Sequence, residues 1–152
     1  MDDDMKPSAN GPEKTLRWSP VGNQTTDCVL WALSRMLGID YAMLATWFSV
    51  EKSEPNYHAN VDAVLTKYGF DLIETTLEDR GKLRFVEAYD ETAELNDDGS
   101  REGHVWYVDE DERVWGLGPD RSVSWDSVQA KKFIEKKKLH IERVLLIRRK
   151  AQ

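Results

Sequence analysis

The chain has 152 residues, 40% of them apolar, with nine glycines and six tryptophans, which suits one domain with a buried core and is short for two. A formal charge of −7 argues against non-specific DNA or RNA binding, and no apolar run approaches the roughly eighteen residues of a membrane span, so neither nucleic acid nor membrane is an expected partner. The single cysteine excludes an internal disulfide and an all-cysteine zinc site. Met1-Asp2-Asp3-Asp4 lacks the apolar stretch of a secretory signal, so a reducing, cytoplasmic setting is expected.

Residues 1–16, with Pro7, Gly11 and Pro12 and little to bury, read as a disordered acidic tail, and residues 17–150 as the folded domain. Turn chemistry makes 19–26 a loop. Asp27 then reads as an N-cap and 28–37 as a helix closed by Gly38, with Val29, Leu33, Met36 and Leu37 on one apolar face. A second helix is expected over about 40–48 and a third from near Pro55 to Gly69. The period then shortens. Residues 70–76, 83–89, 104–109 and 113–117 read as strands, the last two joined by the acidic turn Glu110-Asp111-Glu112. A short helix over 124–133 and an apolar final strand over 141–147 complete the chain. Helices followed by a strand meander is the pattern of an α+β domain.

Acids dominate from Glu87 to Glu112 and bases from Lys131 to Lys150. The plain reading is two solvated faces of one domain; a sharper one is a basic patch for an acidic partner. Gly116-Leu117-Gly118 lacks the strand-to-helix setting of a phosphate loop, and the acidic turns lack the spacing of a calcium loop. No metal or other cofactor is expected.

Three residues carry chemistry. Cys28 falls in the first turn of its predicted helix, where unpaired N–H groups and the macrodipole favour a thiolate. His104 opens the strand Gly103-His104-Val105-Trp106-Tyr107-Val108 and could face that helix across a cleft, with Trp106 on its strand face as cleft wall. Gln24, four residues before Cys28, would donate with the Cys28 backbone N–H to a developing oxyanion. Against this stands the common role of a helical cysteine as a small buried hydrophobe. His58 and His140 read as surface residues.

The run Asn23-Gln24-Thr25-Thr26-Asp27-Cys28-Val29-Leu30-Trp31-Ala32-Leu33, with Gly103-His104-Val105-Trp106-Tyr107-Val108 further on, resembles the papain-like cysteine peptidase superfamily. The nearest flavour is the small bacterial and phage domains similar to the C39-type peptidases. That resemblance spans about 18–148 and implies helices packed on an antiparallel sheet. It also implies Cys28 as nucleophile, His104 as general base and then acid, and Gln24 as oxyanion donor. The Gln–Cys spacing is shorter than the family's, so Asn23 is an alternative donor. The family's orienting acid would fall at Gly118, leaving Asp120 as the candidate if the hairpin loop is odd or bulged. The implied activity is thiol hydrolysis of a protein or peptide amide. The alternatives are a degenerate module that binds or inhibits a host protein complex, and a glutamine deamidase or transglutaminase-like modifier.

Overall fold

The computed structural model describes residues 23–52, 61–92 and 103–151. The expected tail, the helix start near Pro55 and His58 lie outside them. The elements are α1 (Asn23–Leu37), α2 (Tyr41–Lys52), α3 (Val61–Lys67), β1 (Phe70–Thr75), β2 (Arg84–Asp90), β3 (Gly103–Val108), β4 (Val114–Trp115), α4 (Ser127–Lys137) and β5 (Leu139–Arg149). The strands form one antiparallel sheet in the order β1-β5-β2-β3-β4, so the domain is α+β.

The glycine stops are where the sequence puts them. Gly38 closes α1 at φ +67°, its N–H donating to the Ser34 carbonyl at 3.0 Å, and Gly69 follows α3 at φ +96°. The start of α1 is not. It begins at Asn23, so the expected loop over 19–26 is helical from residue 23 and Asp27 lies inside the helix instead of capping it. The turn preference of Asn, Thr and Asp is worth only tenths of a kcal/mol each, and the wider context overrides it. The last helix is also displaced from 124–133 to Ser127–Lys137. Its start is set by a capping box: Asp126 accepts from the Gln129 N–H at 2.8 Å, and the Gln129 side chain accepts from the Asp126 N–H at 3.0 Å.

Both faces of the sheet are covered. On one, Val29, Leu33, Leu44, Phe48, Val64 and Leu65 from α1–α3 pack against Phe85, Val105, Tyr107 and Leu145. On the other, Ala130, Phe133 and Ile134 of α4 pack against Val86, Ala88, Trp106, Val108 and Val144. A buried guanidinium, Arg84, ties the loops that flank β2 and β3, and a half-buried one, Arg143, ties α3 to the sheet. Arg84 donates to the carbonyls of Leu77 and Lys82 and to Glu112, all within 2.8 Å. Arg143 sits at a bulge, where β2 pairs Glu87 with Arg143 and then Ala88 with Ile141. Its Nε donates to Glu87 Oε1 at 2.6 Å, and its two terminal nitrogens donate to Asp62 of α3. Burial pushes Glu87 up to about 7 against the pull of Arg143. Burial also opposes the charge of Arg143, but Glu87 and Asp62 hold it above its ordinary value.

Candidate functional site

The two central residues face opposite sides of the sheet. Cys28 is 6% exposed and belongs to the core between α1–α3 and the sheet, together with Val105 and Tyr107 of β3. Side chains alternate along a strand, so His104 shares its face with Trp106 and Val108, which pack toward α4. The cleft that His104 lines confirms its side, because Phe133 and Lys137 of α4 line it too. The sheet itself separates the imidazole from the sulfur.

Cys28 also stands deeper in its helix than the first turn. It is the sixth residue of α1, so the helical repeat directs its N–H to the Gln24 carbonyl and leaves it no oxyanion to meet. The macrodipole acts mainly within the first turn, which Cys28 has left. Asn23 and Gln24 have helical backbones in that first turn, and their side chains lie outside the described residues.

His104 is held by backbone. Its Nε2 lies 3.1 Å from both the Gly116 and the Leu117 carbonyl oxygens, so Nε2 carries the proton and donates to the pair. The strand pairing has the odd register considered for this hairpin: Val108 opposes Val114 and Tyr107 opposes Trp115, with five residues in the loop. Extended, that register sets His104 opposite Gly118. Yet Asp120 does not reach the ring. Pairing stops at Trp115, and the exposed Asp120 carboxylate accepts from the Ser122 N–H at 3.0 Å and hydroxyl at 2.6 Å, which hold it below the usual carboxylate range. Asp109 is also engaged elsewhere, accepting from Trp115 Nε1 and from the N–H groups of Asp111 and Arg113.

The place where the resemblance puts an orienting acid is crowded, and a side chain there would have to displace an indole. A Cβ on Gly118 would stand 2.4 Å from Trp125 Cζ2, and one on Gly116, at φ +89°, would stand 2.6 Å from Trp31 Cζ3. Two indoles, Trp31 of α1 and Trp125 of the segment before α4, thus close on the backbone of 116–118. Trp125 is fixed in turn by a two-way backbone bridge to Val114, 2.9 Å each way, and by an edge contact with Phe133. Trp125 and Trp31 are not singled out by any motif in the sequence. Their role is to shape the strap that holds His104. Trp106 is 1% exposed, so it backs His104 from the core, ring centres 5.6 Å apart, and does not line the cleft beside that ring.

What His104 does line is a cleft of about 430 Å³ between the end of α4 and the ends of β2 and β3. Leu117, Phe133 and Leu139 give it apolar walls, and Asp90 and Lys137 stand with His104 as its charged or titratable groups. Apart from Gly103, His104 and Gly118, the cleft residues carry no shared motif in the sequence, and the expected helix over 124–133 stops short of Lys137. His140 stands on β5 with Nδ1 3.3 Å from Glu91 and its ring against Tyr89, half-exposed as expected. Among the described residues no cluster of His, Cys, Asp and Glu is set to hold a metal, and no helix is long and apolar enough to cross a membrane. Comparison with protein-family models, curated proteins and solved structures finds no match.

Proposed function

We propose that the chain is a binding domain for a protein or peptide partner that performs no thiol chemistry, with the cleft beside His104 as a recognition site. One observation carries the reading: the only thiol is packed in the α1-side core, while His104 opens on the α4 side. A Cys–His nucleophile needs sulfur and imidazole within hydrogen-bond reach, and acyl chemistry needs an oxyanion donor beside them. The same separation disfavours the deamidase and transglutaminase alternatives, which use the same two groups. The bulk of Trp125 at Gly118 and the turn of Asp120 onto Ser122 argue in the same direction. A cleft with apolar walls and three polar groups in its lining is the usual build of a recognition pocket.

The test is the rate of Cys28 alkylation by iodoacetamide against pH, in the native chain and in His104→Ala. The binding reading predicts slow modification, an apparent thiol pKa at or above the free value of about 8.5, and no response to His104→Ala. A thiolate formed well below that pH, reverting when the imidazole is removed, would overturn it.

A further inference from the structure

We infer that the outer edge of β1 is a docking site for an extended, basic peptide segment that adds a sixth strand to the sheet. The sheet has two edges. At one, β4 is only two residues long, and its Val114 is already bridged by Trp125. At the other, β1 pairs with β5 in unbroken register along all six residues, from Phe70 opposite Arg149 to Thr75 opposite Val144. Among the described residues no strand lies beyond it. Phe-Asp-Leu-Ile-Glu-Thr contains no proline, glycine or lysine, and the irregularity of the sheet falls between β2 and β5 instead. Such an edge offers a row of N–H and C=O groups to an incoming strand. Ile73, in its middle, is 39% exposed.

Charge selects the occupant. Asp71 and Ile73 point to one face of the sheet, and Leu72 and Glu74 to the other. On the inner side Asp71 already meets Arg148 across the ladder, whereas Glu74 meets Leu145, which compensates no charge. A strand on the outer side therefore matches β1 when it carries bases opposite Asp71 and Glu74 and apolar residues opposite Leu72 and Ile73. The pattern base–apolar–apolar–base reads the same in both chain directions. A second copy of β1 matches poorly. Self-pairing centred on Leu72 sets Asp71 against Ile73 and Glu74 against Phe70; centred on Ile73 it sets Glu74 against Leu72. Neither gives an acid a base, and each copy carries a formal charge of −7. This inference makes no use of the His104 cleft, so either can fail while the other stands.

The experiment titrates the full chain with a capped peptide Thr-Lys-Val-Val-Lys-Thr, following backbone amide resonances. Controls are the glutamate counterpart and a backbone N-methylated lysine peptide. The expected result is saturable binding of the lysine peptide with shifts confined to β1 amides. The N-methylated peptide should not bind, and binding should be about fivefold weaker in Glu74→Lys. Ile73→Pro should abolish it; if that variant does not fold, Glu74→Lys carries the decision. Equal binding of the two charge types, shifts at the α4 cleft instead of β1, or no binding at millimolar peptide would overturn the inference. So would a β1-mediated dimer of the chain, detected by light scattering and lost on Glu74→Lys.

Discussion

Replacing Gly118 with alanine tests the packing that closes the third position of the resemblance. The new Cβ would stand 2.4 Å from Trp125 Cζ2 and 2.6 Å from Cη2, distances that real Cβ atoms do not keep. Retreat of the indole is resisted on two sides, by the paired 2.9 Å bonds between the backbones of Val114 and Trp125 and by the ring of Phe133, 5.1 Å away centre to centre. The strap itself resists displacement, because His104 Nε2 holds the carbonyls of Gly116 and Leu117. Overpacking of this kind costs about 1–3 kcal/mol. For a domain of this size that lowers the melting temperature by about 3–9 °C. Urea and thermal unfolding of Gly118→Ala, Trp125→Leu and the double variant measure it. The alanine should be less damaging in the Trp125→Leu background than in the native one. A Gly118→Ala chain within about 0.5 kcal/mol of the native, or strict additivity in the double variant, would refute the contact and reopen the position to an acid.

Two further outcomes follow from side chains already described. Glu87 is raised by burial from its ordinary carboxylate value to about 7, so the folded chain holds its proton more tightly than the unfolded one. Its contribution is fully present below the unfolded pKa near 4.5 and is lost as pH rises through 7; Glu87→Gln should remove that slope, seen as a stability difference from the native chain that changes by about 3 kcal/mol between pH 4 and 8. A pH-independent difference would contradict it. Asp126→Ala removes the capping box of α4 and should cost about 1 kcal/mol in urea unfolding, restored in large part by Asp126→Ser; no loss would mean that packing alone starts the helix.

Local rules made much of this fold legible. Gly38 and Gly69 end their helices, the hairpin after β3 has an odd loop of the kind considered for Asp120, and the alternation along β3 puts His104 and Trp106 on one face. The same alternation was silent on which face meets α1. Val105 and Tyr107 are as apolar as Trp106 and Val108, because the sheet is buried between two helical layers, so period-two patterning gives no inside. Reading Cys28 and His104 as partners required that unassigned choice. The start of α1 was missed because Asn23 to Asp27 carry turn chemistry of small weight. The Asp126…Gln129 signature was present in the sequence and would have placed α4, and with it Lys137 beside His104. The pinching of Gly116 and Gly118 by Trp31 and Trp125 has no local signal, since the contacts join distant segments.

The separation of sulfur and imidazole by the sheet is measured most directly with His104→Cys, which leaves two cysteines in the chain. Under native oxidising conditions a disulfide needs Cα atoms within about 7 Å and facing Cβ vectors. Opposite faces predict no intramolecular cross-link between positions 28 and 104, with both thiols recovered by mass spectrometry after native oxidation. Efficient formation of the 28–104 disulfide in the folded chain would place the two side chains together and restore the case for a thiol enzyme.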